Sequence, residues 1–241
     1  MILYLCLLLL QVWHAVANTE KTIFLGPPSS EIPSQHPTLE DLQLEALSPR
    51  QWSLRTHLKA EFPSSDSKYG PASWLLLHGL REGQRYEVRV CWAATQPTSF
   101  RLDTYELQTV FETPKLITSL ANYAESRQSK DDSLEALEAA AVSELTSSKP
   151  GYAGVDSVLL LQIFSAADYY TANKTLMEHV PPVYVDIILD PFLLNVFPRS
   201  LVPTAAYLVI IAIGSWYLSK AIARCFTDMN GQKLTDVKKE I

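Results

Sequence analysis

Apolar and polar residues alternate along residues 52–62. Trp52, Leu54, Thr56, Leu58, Ala60 and Phe62 fall on one side, and Ser53, Arg55, His57, Lys59 and Glu61 on the other. A period of two over that length predicts a strand with one buried and one wetted face. Pro63-Ser64-Ser65-Asp66 ends it. Ala72–Leu77 is a short apolar run, and Arg81-Glu82-Gly83-Gln84 reads as a turn. Tyr86, Val88, Val90 and Trp92 then alternate with Glu87, Arg89 and Cys91, and Phe100 and Leu102 open a further strand. Residues 158–164 form a continuous apolar run suited to a buried strand. Val183, Val185, Ile187 and Leu189 alternate again before Asp190-Pro191, which is expected to start a turn. Several short strands at this spacing predict a β-sandwich.

The pattern changes at Thr113. Residues 114–128 suit a helix with Leu116, Leu120 and Tyr123 on one face. Asp132-Ser133-Leu134-Glu135 has the form of an N-cap with an acidic residue three places on, and Lys149-Pro150-Gly151 ends the stretch. Residues 126–150, rich in Ala, Glu and Ser, are expected to form an acidic insertion, either helical or mobile. Leu80, Gly83, Tyr86, Val88 and Val90 resemble the tyrosine corner of immunoglobulin and fibronectin type III sandwiches. There the tyrosine hydroxyl bonds back to nearby backbone. The expected fold class is mainly β: an immunoglobulin/fibronectin III-like sandwich with a helical excursion, plus one C-terminal transmembrane helix.

That helix is predicted over residues 201–222. Residues 201–218 are uncharged and about 27 Å long as a helix, close to the apolar thickness of a thin bilayer. Pro203 sits near the start, and Trp216, Tyr217 and Lys220 sit at the far end, where amphipathic side chains are favoured. Ala205, Ala206, Ala212 and Gly214 offer small surfaces to another helix. At the other end, residues 1–17 contain no Lys, Arg, Asp or Glu, and Ala15-Val16-Ala17 has the form of a signal peptidase site. A signal peptide over residues 1–17, cleaved after Ala17, would leave residues 18–200 as one lumenal domain.

Charge sets the expected orientation. Lys220, Arg224, Lys233, Lys238 and Lys239 follow the span, whereas Arg199 is the only basic residue among the twenty before it. The positive-inside rule puts the tail, residues 223–241, in the cytosol. Five basic and three acidic residues give the region beyond the span +2. Against a total of −6, the lumenal part carries −8, which argues against nucleic acid as a partner. Lys238 and Lys239, four and three places from the C-terminus, form a dilysine signal for retrieval to the endoplasmic reticulum by coat proteins.

Candidate chemistry is sparse. Cys91 is the only cysteine between the signal and the span, so no intrachain lumenal disulfide is expected. His36, His57, His78 and His179 lack ligand spacing, and no nucleotide, protease or hydrolase motif occurs. Asp186 and Asp190 would stand roughly 13 Å apart on a strand, wider than a glycosidase pair. A solvated edge and a turn aspartate explain them better. No catalytic residue, cofactor or metal is expected. Asn173-Lys174-Thr175 is a glycosylation sequon on the lumenal side.

The runs beginning Glu20-Lys21-Thr22-Ile23, Trp52-Ser53-Leu54-Arg55, Tyr86-Glu87-Val88-Arg89, Val185-Asp186-Ile187-Ile188 and Pro198-Arg199-Ser200-Leu201 resemble the fungal co-activator subunit of glycosylphosphatidylinositol (GPI) mannosyltransferase II. The resemblance implies a non-catalytic membrane subunit of the endoplasmic reticulum. Its multi-spanning catalytic partner transfers the second mannose to the GPI precursor from dolichol-phosphate mannose. Exposed strand edges, the segment containing Asp190, Pro191, Phe192 and Arg199, and the small-residue face of the span are the expected docking surfaces. A cargo adaptor cycling between endoplasmic reticulum and Golgi, and a cell-surface adhesion receptor, remain open as alternatives.

Overall fold

In the computed structural model of the 241-residue chain, residues 18–32, 39–65, 67–138 and 154–237 are described. The expected cleavage after Ala17 and the dilysine pair Lys238 and Lys239 lie outside them. The chain divides into two units, Met1–Val196 and Phe197–Ile241.

The first unit contains strands β1 (Thr19–Leu25), β2 (Ser30–Ile32), β3 (Glu45–Leu47), β4 (Ser53–Leu58), β5 (Ala72–Leu77), β6 (Arg85–Trp92) and β7 (Thr98–Glu106). Helices α1 (Leu107–Glu112) and α2 (Pro114–Glu138) follow, then β8 (Gly154–Asp156), β9 (Leu159–Ala167), the short helix α3 (Lys174–Glu178) and β10 (Val183–Leu193). β1, β6, β10 and β4 form one sheet in that order, every pair antiparallel. β3, β5, β9 and β7 form a second sheet, in which β3 runs parallel to β5. β2 and β8 make a separate pair.

Alternation dictates the packing of the first sheet. Tyr86, Val88, Val90, Val185, Ile187 and Leu189 point inward and share one core with Leu75, Leu77, Phe100, Leu102, Leu161 and Ile163 of the second sheet. The continuous apolar runs need a different explanation. Trp74, Leu76 and Leu160 leave the far face of the second sheet and meet Leu39, Val110 of α1 and Leu120 of α2. The second sheet is therefore a middle layer whose central strands β5 and β9 are buried on both faces, which is why they do not alternate, whereas the edge strand β7 still does at its start. The buried Trp74 ring keeps its polar edge satisfied by donating from Nε1 to Ser119 Oγ at 3.1 Å.

These layers revise several expectations. The chain is sheet-rich and mixed rather than mainly β, because the helical stretch is a third packed layer. The parallel β3–β5 pair departs from the antiparallel pairing of an immunoglobulin-type sandwich. Helix α2 runs unbroken through Asp132, which is thus not an N-cap. β10 runs through Asp190 and Pro191, where a turn was expected. Its register with β4 ends at Ile188, so at Pro191 no N–H is required toward β4.

The tyrosine-corner geometry is present. Tyr86 Oη accepts from the Arg81 N–H at 2.9 Å and donates to Gln84 Oε1 at 3.1 Å. Beside it, Gly26 N–H donates to Gln84 O at 2.8 Å, and Gly83 N–H donates to Gly26 O at 2.9 Å. A Cβ on Gly26 would lie 2.1 Å from the Arg81 carbonyl oxygen, so only glycine fits there.

The second unit opens with β11 (Phe197–Pro198) and a 3-10 turn (Arg199–Leu201), then becomes one helix, α4 (Val202–Val237), 36 residues long. Residues Arg199–Arg224 are long and apolar enough to cross a membrane, and none of that stretch is buried. Tyr207, Leu208, Ile210, Ile213 and Trp216 all stand exposed, a surface that needs lipid or another protein around it. Lys220 Nζ lies 4.6 Å from the centre of the Trp216 ring. The helix begins one residue after the expected start of the span at Leu201 and continues to Val237.

Candidate docking surface

The two outer carboxylates of the first sheet face each other across β6 and β10, since Glu87 is in register with Asp190. Both are buried. Like charges opposite one another repel, and the neighbouring cations offset this. Arg89 Nε lies 3.5 Å from Glu87 and its Nη2 lies 3.6 Å from Asp190, while Lys21 Nζ approaches Glu87 at 3.1 Å. Asp190 is thus an interior network member, not a turn residue. Phe192 is buried too, with the Arg85 guanidinium 5.8 Å above its ring. Asp190 and Phe192 thus face the interior, and Pro191 between them is half-buried.

These residues lead into an exposed apolar turn. Val196 N–H donates to Leu193 O at 3.1 Å, and the two residues between them, Leu194 and Asn195, have φ of 53° and 58°. Positive φ at both central residues is the requirement of a type I′ turn, which favours Asn and Gly. Asn195 suits its place and locks the turn: its Oδ1 accepts from Arg85 N–H at 2.8 Å and its Nδ2 donates to Gly83 O at 2.8 Å. Leu194 does not suit its place. It is strained at positive φ and 96 % exposed, beside Val196 at 75 %. With its side chain almost wholly exposed, Leu194 makes little packing contact within the domain to offset that conformation. Its signal in the sequence was the Leu-Asn pair between apolar residues, which reads as a continued apolar run unless Asn195 is taken as a turn residue.

The other expected site residues are spread apart. Arg55 makes a bidentate pair with Asp186 at 2.7 and 2.9 Å. Those hydrogen bonds hold the Asp186 carboxyl below its ordinary pKa. Ile23, Leu25 and Tyr184 are exposed on the same sheet. Asn173 caps α3: its Oδ1 accepts from Thr175 N–H at 3.0 Å, and its exposed side chain leaves Nδ2 accessible. Arg199 is exposed in the second unit. Cys91 is half-buried, 3.6 Å from the Thr19 hydroxyl. Among the described residues, no three of His, Cys, Asp or Glu come together as metal ligands.

The model of the Pga1 family, described as GPI-mannosyltransferase II co-activator, matches residues 8–139. The match covers β1 to β7 and α1 and runs through the end of α2, stopping before β9, β10 and the span. No curated protein and no solved structure matches the chain.

Proposed function

The chain belongs to the GPI-mannosyltransferase II co-activator family, and from that premise we propose that it is a non-catalytic subunit supporting addition of the second mannose to the GPI precursor. The first unit lies in the lumen of the endoplasmic reticulum, α4 crosses the membrane once, and the tail faces the cytosol. The signal peptide is removed after Ala17, Asn173 carries a glycan, and Lys238 and Lys239 return escaped molecules through coat proteins. The partner is a multi-spanning catalytic mannosyltransferase.

Docking to that partner uses the turn at Leu193, Leu194 and Val196, held out by the buried Asp190 and Phe192 with the half-buried Pro191 between them, and with Arg199 following it in sequence. The observation that supports this contact is Leu194, strained and 96 % exposed at a position that favours asparagine or glycine. Ala205 and Ala212, two turns apart on one side of the span, are a second contact.

Depleting the protein and analysing the lipid-linked precursors tests the reading. The species bearing one mannose should accumulate. A normal precursor profile, with one secreted protein held in the endoplasmic reticulum, would refute it in favour of a cargo adaptor.

A further inference from the structure

Helix α2 has two organised faces. Leu116, Leu120 and Tyr123 serve the core beneath it. Lys115, Thr118, Ser119, Asn122 and Ser126 stand at i, i+3, i+4, i+7 and i+11, a continuous stripe on one side. All five line a cleft of about 680 Å³. The facing wall comes from Glu45 on β3, Thr56 and His57 on β4, and Lys59, with Ala72 and Ser73 of β5 also lining it. β3 and β4 are the edge strands of the two sheets, and the Thr56 hydroxyl bridges them by donating to Glu45 Oε1 at 3.1 Å.

The size falls within the range of small-molecule sites, roughly 300–1,000 Å³, but those are usually apolar. Here only Pro71 and Ala72, of all the lining side chains, lack a polar atom. Lys59, Lys115 and Arg127 outweigh Glu45, so the cleft is net positive in a chain of charge −6. Lys59 pairs with Glu61 at 2.6 Å, and Arg127 with Glu45 at 3.6 Å. Lys115 has no ion-pair partner among the described residues.

Ser119 adds a directed donor. Its Oγ accepts from Trp74 Nε1 at 3.1 Å and from Gln162 Nε2 at 3.4 Å, both groups that can only donate. Trp74 and Gln162 are buried, which fixes the pair. With both lone pairs engaged, the hydroxyl proton has no acceptor among the described residues and is available to the cleft. Asn122, one helical turn on, presents both a donor and an acceptor.

The geometry points to a binding cleft for a phosphorylated polyol: a free sugar phosphate or the phosphorylated sugar headgroup of a lipid. Lys115 meets the phosphate as a point charge. Ser119 and Asn122 meet hydroxyls, and Glu45 accepts from them. A neutral sugar would leave Lys115 unused, and inorganic phosphate would leave Asn122 and Glu45 unused. The inference stands on the cleft alone and does not depend on docking to the mannosyltransferase.

The test titrates the full-length protein, in phosphatidylcholine nanodiscs, with mannose 1-phosphate and myo-inositol 1-phosphate, followed by thermophoresis. Saturable binding by at least one of them is expected. Methyl mannoside and inorganic phosphate should each bind at least tenfold more weakly. Lys115→Glu and Asn122→Ala, both at exposed positions, should weaken binding tenfold or more while leaving the unfolding temperature unchanged. Repeating the titration with phosphatidylinositol in the nanodisc identifies the source: competition indicates a lipid headgroup, and its absence a free sugar phosphate. No saturable binding, equal affinity for inorganic phosphate, or affinity unmoved by Lys115→Glu would overturn the inference.

Discussion

Leu194→Asn separates stability from docking in one substitution. Leucine at positive φ costs about 1–2 kcal/mol, whereas asparagine adopts that conformation with ease. Because the Leu194 side chain is 96 % exposed, its removal sacrifices almost no packing within the domain. The variant should therefore be more stable by about 1 kcal/mol, raising the unfolding temperature by roughly 2–4 °C for a domain of this size. Docking should move the other way. Burying a leucine against a partner is worth about 1.5–3 kcal/mol, so its loss weakens the contact by roughly tenfold to a hundredfold. Thermal unfolding of the purified full chain measures the first effect. Co-purification with the mannosyltransferase, together with the level of the one-mannose precursor, measures the second. A lower unfolding temperature would refute the strain argument. A stabilised variant that still co-purifies at the wild-type level would refute the docking role.

Tyr86→Phe leaves the Arg81 N–H without its partner and should cost about 1–3 kcal/mol, read as a lower denaturation midpoint with an unchanged slope. Gly26→Ala drives a methyl group into the Arg81 carbonyl between two short backbone bonds. It should abolish folded protein, seen as loss of protease resistance, whereas Gly83→Ala, with open space around its Cβ, should cost only about 1–2 kcal/mol for its positive φ. The Asp186 carboxyl titrates lower in the folded chain than in the unfolded one. Its contribution to stability is therefore complete above the unfolded carboxylate pKa and is lost as pH falls through the lowered folded value. Arg55→Ala should accordingly differ from wild type at neutral pH and converge with it in strong acid, and melting curves at both pH values check this.

Much of the fold was legible because strand faces repeat every two residues. Residues 86–92 and 183–189 carried their inward set openly, and the runs at 72–77 and 158–164 announced burial. What they did not announce was burial against two different neighbours. A continuous apolar run gives the same pattern beneath a sheet, a helix or both, so the helical layer over Trp74 and Leu76 was invisible until α2 was placed. Asp132 misled because a capping signature is local, and the helix extending from Pro114 overrode it. Asp190-Pro191 misled because burying an aspartate is costly unless cations attend it. Arg89, distant in sequence, supplies that condition for Asp190, as Lys21 does for the facing Glu87. The cleft escaped notice for a related reason: its two walls are some sixty residues apart along the chain, and its polar stripe on α2 resembles an ordinary solvated helix face.

The placement of β10 has a consequence for how the protein is made. This strand lies between β6 and β4, inside the first sheet, yet its last residue, Leu193, comes only nine positions before α4 begins. Chains are synthesised from the N-terminus, so β1 and β6 can pair early while β4 waits for a neighbour. The middle layer waits as well, because β9 must arrive between β5 and β7. The domain closes only when the residues leading into the apolar helix have been made. Closure thereby awaits the residues just ahead of α4, and a chain cut at residue 139, where the family likeness ends, would leave both sheets open along their inner edges.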